Sequence, residues 1–109
     1  LKPLPHEIEL QKVLDAIIAV APDWNVPPLD MFDFMPTGTK VYGLAYNTGS
    51  ISLNLNTLGE FSCKNKQFVE TIVHEVVHVN HWDEGHSNQF WIIHGMLLDK
   101  VLNKLNKEN

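Results

Sequence analysis

From Lys66 to Asn80 the apolar residues Val69, Ile72, Val73, Val76 and Val77 recur at three- and four-residue spacing. That spacing predicts a helix with one broad apolar side, which has to be buried against other elements. His74 and His78 fall on the opposite side, one turn apart. The chain must therefore cover the valines and leave the two imidazoles facing something else.

The flanking sequence supplies the covering elements. The two prolines of LKPLPH predict an extended arm. Glu7 to Ala21 then reads as a helix, with Ile8, Val13, Leu14, Ile17, Ile18 and Ala21 on its apolar side and Pro22 at its end. Ala21 to Asp30 is a connector holding Pro27 and Pro28. Met31 to Phe34 reads as a short strand, and residues 35–39 as a turn. Lys40 to Asn47 and Ser50 to Asn56 read as paired strands, joined by a tight turn at Asn47–Gly49. Within the second, Ile51, Leu53 and Leu55 alternate with Ser52 and Asn54, which predicts one packed face and one polar face. Gly85 breaks the pattern after the histidine helix. A last helix runs from Ser87 to Asn106, packed through Phe90, Ile93, Leu97, Leu98, Val101, Leu102 and Leu105, with Ser87 or Asn88 as its cap. The expected fold class is α+β: an N-terminal helix, a small mostly antiparallel sheet, the histidine helix and a C-terminal helix.

Length and charge exclude several functions. At 109 residues the chain is expected to form a single domain over residues 1–109. With 44% hydrophobic and only 19% charged residues it is not a disordered chain. The net charge is -5, and all 8 basic residues are lysines, so no arginine fork is present to read phosphates or bases. Nucleic acid is not an expected partner; Lys100, Lys104 and Lys107 read as a solvated helix face. The single cysteine, Cys63, excludes an internal disulfide and a cysteine metal cluster. No apolar run reaches membrane-spanning length, and no signal peptide is visible, so no membrane partner and a cytoplasmic location are the expectations.

His74, Glu75 and His78 form H-E-x-x-H. Spacing i, i+4 on a helix offers two imidazoles to one tetrahedral zinc. Glu75 is left free to reach water at the metal and act as general base. The third ligand must come from elsewhere. His81 would lie about two turns, roughly 10 Å, along the same helix from His74, too far to reach back to a nitrogen–zinc distance of about 2 Å. His86 follows the break at Gly85, where a tight reversal favours positive φ, and can approach from another direction. Asp83 or Glu84 is the remaining alternative, since a carboxylate also completes such sites.

The segment HEVVHVNHWDEGHSNQFW resembles the zinc-binding segment of the SprT-like metallopeptidases. Their third ligand follows a glycine and precedes a phenylalanine by one turn, as Gly85, His86 and Phe90 do here. The run His86-Ser87-Asn88-Gln89-Phe90-Trp91 is also similar to the H-S-x-x-F-W ending of the YgjP-like relatives. Upstream, YNTGSISLNLNTL resembles the edge strand that precedes the metal helix in that family. The resemblance covers roughly Lys40 to Trp91. It implies a minimal zincin-like domain, with His74, His78 and His86 as ligands of one catalytic Zn2+ and Glu75 as the catalytic residue. It also implies a polypeptide substrate, bound by addition to an edge strand.

The expected function is therefore a zinc-dependent peptidase, an endopeptidase that hydrolyses peptide bonds through water activated at the metal. The alternative is a non-catalytic, zinc-stabilised interaction or DNA-associated module. Around the site, the polar face of Ser50–Asn56 is expected to border the cleft, with Asn54 on substrate or behind a ligand. Tyr42 and Tyr46 are candidate donors to the oxyanion. Asn80, His81, Asp83 and Glu84 are candidates to hydrogen-bond the ligands. Trp82, Phe90 and Trp91 are expected to wall the site, and His94 to be a satisfied core histidine.

Overall fold

The computed structural model describes residues 5–35, 41–54 and 58–107. Among the described residues three helices and a three-stranded sheet make an α+β architecture: α1 (Pro5–Val20), β1 (Phe32–Phe34), β2 (Gly43–Ala45), β3 (Ile51–Leu53), α2 (Lys66–Asn80) and α3 (Asn88–Lys107). Short 3-10 turns at Leu29–Met31 and Trp82–Glu84 lead into β1 and towards α3. Of the expected extended arm Leu1–His6, residues 1–4 lie outside the described residues, as do most of the turn at residues 36–39, Lys40, Leu55 and Asn56. Pro5 and His6 instead open α1, whose first position tolerates a proline because an N–H there would have no partner.

The valine face of α2 is buried as its spacing requires. Val69, Ile72, Val73, Val76 and Val77 are all fully inaccessible, in one cluster with Leu10, Val13, Leu14 and Ile17 of α1, Ile51 and Leu53 of β3, and Phe90 and Val101 of α3. Asn65 caps α2, its side-chain oxygen accepting from the Gln67 N–H at 3.1 Å while its amide nitrogen donates to the carbonyls of Leu58 and Glu60. Ser87 caps α3, accepting from the Phe90 N–H.

Two expectations about α1 are corrected. Ile8 and Ile18 stand 44% and 49% exposed. The buried stripe runs instead through Leu10, Val13, Leu14, Ala16 and Ile17, the face turned to the other two helices. At about 100° per residue, Ile8 falls nearly opposite Leu10, and Ile18 sits at the margin of the stripe.

The sheet is mixed rather than mostly antiparallel. Its order is β1-β3-β2, with β3 parallel to β1 and antiparallel to β2. The hairpin closes as expected: Tyr46 N–H donates to Ser50 O and Gly49 N–H to Tyr46 O, with Gly49 at φ 90°. Of the hairpin's two edges β1 takes the one on β3, which makes β3 the central strand, and the pair is parallel because both strands run the same way. The face expected to be polar and to border the cleft is interior. Ser52 and Asn54 are buried; the Ser52 hydroxyl donates to the Asp33 carboxylate across the β1 pair, and Asn54 Nδ2 donates to Val41 O at 2.9 Å.

Candidate metal centre

Three imidazoles meet at the end of α2. The Nε2 atoms of His74 and His78 lie 3.2 Å apart, those of His78 and His86 3.0 Å, and those of His86 and His74 3.2 Å. Three nitrogens bound to one zinc at about 2.0–2.1 Å with tetrahedral angles would be spaced by about 3.3 Å. The triangle therefore matches a ligand set. It does not suit mutual hydrogen bonding, because in-plane lone pairs cannot close a ring of three linear bonds. His74, His78 and His86 lie close enough to bind one metal ion, and no other such group occurs among the described residues.

Local sequence explains the convergence. His74 and His78 sit on successive turns of α2. Its last turn closes with His81 N–H donating to Val77 O, and Gly85 at φ 56° turns the chain back. His86 then precedes α3, whose first turn presents Phe90 and Trp91. Phe90, fully buried, contacts all three imidazoles: it stacks on His78 with centroids 4.5 Å apart and meets His74 and His86 at 5.1 and 5.2 Å. Trp91 stacks on His86 at 5.5 Å and 27°. The spacing of four and five residues from His86 is what lets one helical turn hold a ligand from beneath and from the side.

Electrostatics favour neutral, metal-competent imidazoles. Burial, then the neighbouring histidines His78, His94 and His86, push His74 down to about 4. Burial also holds His78 below its ordinary value, with His86 and His94 adding to the effect. Both rings thus keep their lone pairs through the neutral range, and a bound metal need not displace protons from them.

Glu75 is 5% exposed, and burial raises its carboxyl to about 7. It lines the same cleft as the three histidines, a space of about 640 Å³. One wall is α2, with Gln67, Glu70 and Thr71; the second is Val41 to Ala45; Trp82 and Trp91 close the third side.

The cleft borders β2, not the strand expected there. Tyr46 N–H and the carbonyl of Tyr42 bond across to β3, so alternation turns the N–H and C=O of Gly43 and Ala45 to the other edge. No strand covers that edge among the described residues. Gly43 has a packing reason. A Cβ there would come within 3.1 Å of both Ser52 O and Thr71 Cγ2 and 3.4 Å of Glu75 Cγ. Glycine thus spares β2 a tight contact where it lies against α2. Neither Gly43 nor Glu70 was marked by the sequence, although Glu70 shares the four-residue row of His74 and His78.

The remaining candidates divide. Tyr42 lines the cleft and Tyr46 does not, although both are 44% exposed. Asn54 supports the Val41–Tyr42 backbone from inside the sheet and does not border the cleft. Trp82 and Trp91 wall the site, while Phe90 lies beneath it. His81 caps α2 away from the triangle, packed edge-on against Trp24 at 5.3 Å. Asp83 is exposed, and Glu84 lies 3.5 Å from His81 Nδ1, so neither joins the histidines. Asn80 serves the connector: its Oδ1 accepts from Asn25 N–H at 2.8 Å and its Nδ2 donates to Asn25 O at 2.9 Å. His94 is a buried core residue 5.2 Å from the His74 ring, but its Nε2 has no hydrogen-bond partner among the described residues.

No family model matches the chain, and no curated protein or solved structure does. No helix among the described residues is long and apolar enough to cross a membrane.

Proposed function

We propose that the chain is a zinc-dependent peptidase of the SprT-like, zincin type. The observation that carries this reading is the triangle of Nε2 atoms at 3.0–3.2 Å, set beside a buried carboxyl in one cleft. Three imidazole donors with a side left open are the donor set of catalytic rather than structural zinc. His74, His78 and His86 would hold the ion. When bound, zinc supplies a Lewis acid for the scissile carbonyl and makes water acidic enough to attack at neutral pH.

The rest is done by the chain. Glu75, placed between the two helical ligands in sequence and facing the cleft, takes a proton from the attacking water on its carboxylate. It then delivers that proton to the departing amine. The outward N–H and C=O groups of Gly43 and Ala45, which no described strand covers, pair with an extended polypeptide, which fixes the scissile bond over the histidines. Tyr42 is the cleft hydroxyl available to the oxyanion. Trp82 and Trp91 limit water at the site.

Peptide cleavage by wild type and Glu75→Gln, with metal content measured on both, tests the reading. The variant should keep its metal and lose cleavage. Cleavage that survives in the variant removes Glu75 from the mechanism.

A further inference from the structure

Glu70, His74 and His78 form one row on α2, spaced by four residues, and all three line the cleft. The row places Glu70 one turn before the first imidazole. Gln67 and Thr71, its neighbours on the adjacent row, bond to each other through Gln67 Nε2 and Thr71 Oγ1 at 3.2 Å. Among the described residues Glu70 makes no ion pair, and no lysine lines the cleft. Its electrostatic neighbour is His94, buried beside His74. Among the described residues, then, no lysine or arginine meets this half-buried carboxylate at the cleft.

We propose that Glu70 is a specificity-determining residue that selects a basic side chain two residues from the scissile bond. The proposal rests on the peptidase reading and deepens it. Four helical residues advance about 6 Å, so Glu70 stands about 6 to 9 Å along the helix from the metal-binding nitrogens. An extended peptide on β2 advances about 3.3 Å per residue, and alternate side chains face the same way. In the proposed complex that peptide runs along α2, so that the side chain two residues from the one above the histidines comes over Glu70. A lysine or arginine there gives Glu70 the cation that no described residue supplies, and the net charge of -5 attracts such a peptide to the cleft. Val41, Tyr42 and Leu44 offer apolar contact to its aliphatic stem.

Cleavage-site profiling of a proteome-derived peptide library tests this, using the zinc-loaded full chain and its Glu70→Gln and Glu70→Lys variants. Wild type should enrich Lys and Arg at a single position two residues from the cut. Glu70→Gln should lower that enrichment by about three- to fivefold, and Glu70→Lys should turn it towards Asp and Glu. A wild-type profile without the basic preference, or a preference undiminished in Glu70→Gln, overturns the assignment. A second measurement needs no variant to fold. Matched peptides carrying Lys or norleucine at that position should differ in KM on wild type, and the difference should shrink as salt rises; equal KM values overturn it. Glu75-dependent cleavage that ignores the basic residue removes Glu70's role and leaves the peptidase reading standing. If no peptide is cleaved in a Glu75-dependent way, both fall.

Discussion

The Nε2 atoms of His78 and His86 stand 3.0 Å apart across eight positions of sequence. Helix α2 ends between them, a 3-10 turn follows, and Gly85 at positive φ reverses the chain. His81, only three residues after His78, is turned instead to Trp24. Replacing His86 with Ala should therefore weaken zinc binding by more than about 100-fold, beyond what loss of an outer hydrogen bond causes, while His81→Ala should change it by less than about tenfold. Competition with a chromophoric chelator gives both values, and the reverse ranking contradicts the ligand assignment.

Glu75 gives a pH signature. Its folded carboxyl is raised to about 7 from 4.5 by burial. In the metal-free protein the protonated form is thus favoured by folding. That contribution, on the order of 3 kcal/mol, is present in full below pH 4.5 and is gone once pH passes about 7. His74, lowered to about 4, acts in the opposite sense between pH 6.5 and 4, so wild type alone does not isolate the carboxyl. The stability difference between metal-free wild type and Glu75→Gln does. Denaturant titrations from pH 4.5 to 7.5 should show wild type losing ground to the variant as pH rises. Zinc, by placing positive charge beside the carboxylate, should remove most of that trend.

Gly43 sets the distance between β2 and α2. A methyl group there meets the Ser52 carbonyl, which the antiparallel pair holds in place, and the buried Thr71 side chain. Gly43→Ala should cost about 1 kcal/mol and Gly43→Val about 2–3 kcal/mol in thermal or chemical unfolding. Both should also raise KM for peptides, because the displaced strand is the one that presents Gly43 and Ala45 to substrate. Unchanged stability and KM in Gly43→Val would show that β2 yields freely.

Asn80 fastens the connector after α1 to the end of the metal helix through two hydrogen bonds with Asn25. Asn80→Ala should lower stability by about 1–2 kcal/mol. Zinc affinity should fall much less than in His86→Ala, since Asn80 touches none of the three imidazoles.

Much of this was readable where side-chain spacing carries the signal. The α2 valines, the α3 packing residues and the Asn47–Gly49 turn each follow from local periodicity or φ requirements. Strand pairing order does not, because periodicity along one strand is silent about its neighbours. Ser52 and Asn54 thus read as a polar face bordering the cleft and prove to be interior, bonded to Asp33 and Val41. The cleft edge passed to β2 for the same reason. Gly43 and Glu70 carry no local mark either; their positions matter only once α2 lies against the hairpin. His94 reads as a satisfied core histidine, and it is buried, yet nothing in sequence could say that its Nε2 would have no hydrogen-bond partner among the described residues.

The most direct test is a zinc titration of chelator-stripped protein that follows bound metal and peptide cleavage together. Wild type should bind one equivalent, with cleavage rising in step and levelling off at that equivalent. Glu75→Gln should bind the same equivalent with cleavage reduced by about 1,000-fold or more, the scale of general-base loss. Cleavage that appears without bound zinc, or that persists at wild-type rate in Glu75→Gln, would contradict a metal-dependent peptidase built on His74, His78, His86 and Glu75.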